Sequence, residues 1–198
     1  MPTSNKLSFP YGEEINWQSP VNIHATLDPY LNTWLIAPDS LTQKLKQQCQ
    51  HFEVKVLGEG MHTSCIGELP HQQKVWVREV LLCLNGEPWV FARTLIPKQL
   101  MSIKQADFLK LGSKPLGELL FTSNQFVPGQ IEIAKFSISS RLAELAKSLQ
   151  QDVNEPLWGR RRYFHFQSEQ LIVSEVFLPT ARKNIIKIAQ EQALSIVS

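Results

Sequence analysis

At 198 residues, 43% hydrophobic and 19% charged, the chain has material for one domain with its own core, since domains commonly run to about 100–200 residues. Its net charge of +2 is too small to imply a polyanionic partner, which argues against a nucleic-acid role; no apolar run approaches the ~20 residues of a bilayer span. Cys49, Cys65 and Cys83 are odd in number and lack a C-x-x-C pairing, which argues against a disulfide framework or structural zinc; with no secretory pattern in residues 1–10, reduced thiols in the cytoplasm are expected.

In chain order, Asp28-Pro29 supplies an N-cap and a first-turn proline ahead of Leu31, Trp34 and Leu35, so the N-terminal third reads as helical. A second helix starts at Ser40, with Leu41 and Leu45 inward and Lys44, Lys46 and Gln47 outward. Residues 75–84 and 89–96 are rich in β-branched and aromatic side chains, and Asn85-Gly86 between them predicts a hairpin. A short helix over 104–111 ends at Gly112, and Pro115 opens another through 116–120. Further strands are predicted over 130–134, 161–167 and 171–178. Residues 140–151 are amphipathic through Leu142, Leu145 and Leu149, and the tail 181–198 carries Ile185, Ile186, Ile188 and Leu194 among Arg182, Lys183 and Lys187; packing of this tail on the domain is expected. Strands and helices come in runs, which predicts an α+β fold with an antiparallel sheet.

Charge in an apolar strand marks the candidate chemistry. Arg78 alternates with Trp76, Val80 and Leu82, and a two-residue turn at Asn85-Gly86 would set it opposite Arg93 on the same face. Opposed like charges are destabilising, so either an anion lies between them, or one arginine snorkels to water with its stem on Trp76 or Phe91; a one-residue slip would separate the pair. Glu175 shares a strand face with Leu171, Val173 and Phe177. It is either paired, with Arg162 facing it if the turn is Ser168-Glu169, or used as an acceptor or general base. Residues 157–162 (LWGRRR) form a basic cluster that reads as a solvated strand end. His24, His51, His62, His71 and His165 have no metal-ligand spacing, Gly58-Glu59-Gly60 lacks the context of a nucleotide loop, and no serine lies in a G-x-S-x-G elbow.

Six blocks in order resemble the chorismate pyruvate-lyase family over about residues 28–180: 34–45 (WLIAPDSLTQKL), 76–93 (WVREVLLCLNGEPWVFAR), 111–122 (LGSKPLGELLFT), 131–133 (IEI), 157–161 (LWGRR) and 174–179 (SEVFLP). The resemblance implies a single domain over 1–198 with an antiparallel, about six-stranded sheet, helices packed on one side, and an aromatic site closed by flap-like loops. It implies that Arg78 binds a substrate carboxylate, that Glu175 approaches the ring hydroxyl, that Leu116 contributes through its backbone, and that Leu41 stands where the family has a methionine, a volume-conserving change. Arg93 is expected to assist with a second anionic group. The implied reaction converts chorismate to 4-hydroxybenzoate and pyruvate without metal or cofactor, towards ubiquinone, with inhibition by the product and a monomeric protein. The rival expectation is a non-catalytic small-aromatic-acid binding domain of the same fold. Residues between Ile133 and Leu157 and the tail beyond Pro179 lie outside the matched blocks.

Overall fold

A computed structural model describes residues 8–23 and 27–197; His24 and Ser198 lie outside them. Six antiparallel strands make one sheet in the order β1-β2-β3-β6-β5-β4. They are β1 (Phe52–Thr63), β2 (Lys74–Leu84), β3 (Glu87–Pro97), β4 (Val127–Phe136), β5 (Leu157–Phe166) and β6 (Glu169–Phe177). Among the described residues there are seven helices: α1 (Pro20–Ile23), α2 (Asn32–Leu35), α3 (Leu41–Lys46), α4 (Lys98–Leu109), α5 (Leu116–Thr122), α6 (Arg141–Ser148) and α7 (Pro179–Val197).

The local signals act as their chemistry requires. Asp28 Oδ1 accepts from the backbone N–H groups of Tyr30 and Leu31 at 3.0 and 3.1 Å, and Ser40 and Ser140 cap α3 and α6. Asn85 and Gly86 take the positive φ values of a tight hairpin. Helix α4 starts at Lys98, six residues ahead of the expected start, with a kink at Lys104. The strand β1 was not expected in a third that reads as helical. It is an edge strand broken by Gly58 and Gly60, with an irregularity between Val56 and Gly58, so little of the usual strand pattern survives.

One sheet face packs against α2, α3 and α7 through Trp34, Leu35, Leu45, Val90, Phe177 and Ile185, and against α4 and α5 through Ile96, Leu100, Phe108, Leu116 and Leu120. The opposite face is covered too. Helix α6 and the segment 9–17 lie there, with Leu142, Leu145, Tyr11, Ile15 and Trp17 against Leu81, Phe91 and Val176. The residues between Ile133 and Leu157 thus supply the helix that closes the second face. No described helix is long and apolar enough to cross a membrane.

Candidate active site

On the face carrying α2–α5, successive strands present Arg78 and Val80, then Thr94 and Ala92, then Val173 and Glu175, then Arg162 and Arg160. Strand spacing of about 4.8 Å and a same-face repeat of about 6.8 Å put the Cα atoms of Arg78 and Glu175 roughly 12 Å apart. The small side chains of Ala92 and Thr94 form the floor between them. Thr42 of α3 and Lys114 to Gly117 at the start of α5 form the roof of a small cavity. An adjoining cavity shares Thr42, Gly117, Val173 and Glu175 and adds Leu41 and Phe121. A Cβ on Gly117 would lie 2.9 Å from Thr42 Oγ1, so glycine is what lets α5 close on α3 above the site.

Arg78 is buried. One of its terminal nitrogens donates to Glu59 Oε2 at 2.7 Å and the other to the carbonyl of Gly112 at 2.5 Å. Gly112 has a φ of +50° in the turn between α4 and α5, so the guanidinium ties the helical cover to the sheet. Glu59 faces Arg78 from β1, and its side chain is 39% exposed against 4% for Arg78. Of the two partners, Glu59 is thus the one that can turn out to water and free an N–H of the buried guanidinium.

Glu175 is paired, but with Arg160 rather than Arg162. The turn after β5 falls at Gln167-Ser168, with Phe166 facing Glu169, and this register sets Arg160 opposite Glu175 and Arg162 opposite Val173. Arg160 Nε donates to Glu175 Oε2 at 2.8 Å, and its NH1 donates to the carbonyls of Ala37 and Trp34 at 2.8 and 3.3 Å. At 1% exposure Arg160 is one of the largest fully buried side chains, which corrects the reading of this run as a solvated strand end. The missed signal was the alternation of Trp158, Arg160 and Arg162, which places two arginines on the face that carries Glu175. Arg161 points to the other face, where it pairs with Glu132 at 2.6 Å.

Three cations, Arg160, Arg162 and Lys44, meet two carboxylates, Glu175 and Asp39, at this end. Burial first, and then the charge of Arg160, lower the pKa values of Arg162 and Lys44.

Arg93 leaves the site altogether. Trp89 is an extra residue in β3, between the pairs Cys83–Pro88 and Leu82–Val90, so Arg78 faces Thr94 and Arg93 faces Glu79. The one-residue slip turns Arg93 to the opposite face. There its Nε donates to Glu68 Oε1 at 2.6 Å and its NH1 to Glu79 Oε1 at 2.5 Å. Burial alone would depress its pKa, but the hydrogen bonds and charges of Glu68 and Glu79 raise it instead. A guanidinium with two carboxylates already on it is a structural cation, so the expected opposition of Arg78 and Arg93 across a shared anion is not realised.

Residues 12–185 match the family model described as chorismate lyase. Two curated relatives from Shewanella species, both named "Probable chorismate pyruvate-lyase", are 59% and 61% identical, covering 92% and 88% of this chain and 96% and 94% of theirs. Among solved structures, PhnF from Mycobacterium smegmatis has the same fold at a TM-score of 0.51 with 16% identity, over 72% of this chain and 64% of that one. An Arg78 fork and an Arg160-held Glu175 facing one another across a small-residue floor, in a chain so close to these relatives over nearly its whole length, lead to one assignment: the chain belongs to the chorismate lyase family.

Proposed function

We propose that this chain converts chorismate to 4-hydroxybenzoate and pyruvate at the cavity between Arg78 and Glu175, supplying an aromatic acid towards ubiquinone. The observation that carries the reading is the pairing of a carboxylate receptor with a held carboxylate across a floor of Ala92 and Thr94, which suits a flat ring with an acid at one end and a hydroxyl at the other. Arg78 binds the ring carboxylate, exchanging Glu59 for it, and Leu116 meets the ligand through its backbone. Leu41 shapes the adjoining space.

Glu175, oriented by Arg160, lies at the hydroxyl-bearing C4. It takes the proton from C4, the C–H electrons complete the aromatic ring, and the C3–O bond breaks with its electrons going to the enolpyruvyl oxygen. The enolate carbon then takes the proton from Glu175 and becomes the methyl group of pyruvate. Substrate and products are at the same total oxidation level, so the reaction calls for no redox cofactor. Aromatisation supplies the driving force, and the protein supplies orientation and charge placement. We place the enzyme in the cytoplasm, a location supported by the free thiols of Cys49, Cys65 and Cys83, and take it to act as a monomer.

The test is a stopped assay in which 4-hydroxybenzoate and pyruvate are quantified separately. Equimolar products are expected from the wild type. In Glu175→Gln, kcat is expected to fall by about 10²- to 10⁴-fold, the usual worth of a positioned general base, with 4-hydroxybenzoate binding retained; near-normal turnover would reduce Glu175 to an acceptor for the ring hydroxyl. Added 4-hydroxybenzoate should slow the wild-type progress curve, because a site shaped to the flat product releases it slowly, and a curve indifferent to it would contradict that fit. A wild type that binds 4-hydroxybenzoate and leaves chorismate intact would make this a binding domain instead.

A further inference from the structure

Chorismate carries two carboxylates, and the displacement of Arg93 to the far face leaves the second one without its expected partner. With the ring acid on Arg78 and C4 at Glu175, the C3 ether branches off beside C4, so the enolpyruvyl carboxylate must find its cation at the Glu175 end. Arg160 is committed there to Glu175 and two backbone carbonyls. Lys44 donates to the carbonyl of Thr33 at 3.0 Å.

Arg162 differs. It lies diagonally from Glu175 on the same face, one strand over and two residues along, which is roughly 8 Å between Cα atoms. It lines the cavity that also contains Glu175, Leu41 and Thr42. Its guanidinium rests near the rings of Phe121 and Phe164, at 5.4 and 5.8 Å from their centroids, and NH1 donates to the carbonyl of Pro38. Its Nε is buried and has no hydrogen-bond partner among the described residues. A buried donor left unpaired is costly, and one on a cation beside a binding cavity is a place for an anion.

We infer that Arg162 is the receptor for the enolpyruvyl carboxylate, a substrate-binding residue that distinguishes chorismate from 4-hydroxybenzoate. The inference rests on the lyase reading of the site. The arginine-rich surroundings fit it: the second carboxylate brings negative charge to the end of the cavity where Arg160, Arg162 and Lys44 outnumber Glu175 and Asp39. During the reaction this carboxylate leaves with pyruvate, so Arg162 grips substrate and leaving group but not the aromatic product, whose one carboxylate remains on Arg78.

The experiment compares Arg162→Gln with the wild type for two ligands. The Kd for chorismate, read from tryptophan fluorescence under rapid mixing, is expected to rise about 10- to 100-fold, the worth of a charged hydrogen bond of roughly 1.5–3 kcal/mol. The Kd for 4-hydroxybenzoate is expected to stay within twofold. Arg162→Lys, which keeps the charge without the planar fork, should fall between them for chorismate and match the wild type for 4-hydroxybenzoate. An unchanged chorismate Kd overturns the inference, and so does an equal loss for both ligands, which would make Arg162 a structural residue. If Arg162→Gln does not fold, the Arg162→Lys comparison decides alone: a chorismate Kd equal to the wild type's overturns the inference. Because the Kd needs no turnover, a wild type that forms no pyruvate refutes the lyase reading separately.

Discussion

Arg78→Ala is expected to lower kcat/KM for chorismate by about thirtyfold to a few thousandfold and to weaken 4-hydroxybenzoate to a similar degree. The range corresponds to the 2–5 kcal/mol that truncating one member of a buried, hydrogen-bonded charge pair typically costs. The effect falls on substrate and product alike because both carry the ring acid. The fold should survive the change, since the carboxylate left behind, Glu59, is 39% exposed and can hydrate. What is lost besides the proposed anion receptor is the tie to the Gly112 carbonyl, so the turn between α4 and α5 should exchange its amide hydrogens faster. Arg78→Lys restores charge but not the two-pronged geometry and should recover only part of the affinity. Fluorescence titration with 4-hydroxybenzoate checks this directly; an affinity equal to the wild type's would remove Arg78 from the site.

Much of this architecture was legible in the chain because its signals are local. Ser40, Asn85-Gly86, Gly112 and Ser140 act within a few residues of themselves, and a cap or turn needs no partner elsewhere. The strands of the candidate site were readable for a second reason: Arg78 and Glu175 are charges at apolar positions, an anomaly that alternation exposes without knowledge of the neighbouring strand. Cross-strand partners were not readable, because they depend on counting. One extra residue at Trp89 moved Arg93 through the sheet, and a turn shifted by one residue exchanged Arg162 for Arg160 opposite Glu175. Neither a bulge nor a turn register leaves a mark in composition, yet each changes the charge a carboxylate meets. Strand β1 was hidden for a related reason. Its Gly58 carries no side chain where the ring of Phe9 presses, within 2.4 Å of where a Cβ would stand, and the contact comes from a segment 49 residues earlier.

Arg93→Ala is expected to act on stability and to spare binding, the reverse of Arg78→Ala. Glu79 is fully buried and Glu68 nearly so, at 0% and 8% side-chain exposure, and truncating the arginine leaves two carboxylates in the interior without their cation. Such a change typically costs 3–5 kcal/mol, which for a chain of this size lowers Tm by roughly 6–20 °C at 2–4 °C per kcal/mol. The carboxylates keep some partners. Glu79 accepts from the backbone N–H groups of Tyr11 and Gly12, with a shortest contact of 2.8 Å, and Glu68 accepts from that of Cys65 at 2.6 Å, so the segment 9–17 and the loop before β2 should loosen together before the sheet does. Below its transition the variant should bind 4-hydroxybenzoate within twofold of the wild type, whereas a ligand-binding Arg93 would show a loss on the scale of Arg78. Adding Glu79→Gln to Arg93→Ala removes one unpaired buried charge while keeping an acceptor for the Tyr11 and Gly12 amides, and should recover part of the lost Tm. Failure of the second substitution to recover any stability would mean that Arg93 holds the far face by packing rather than by charge.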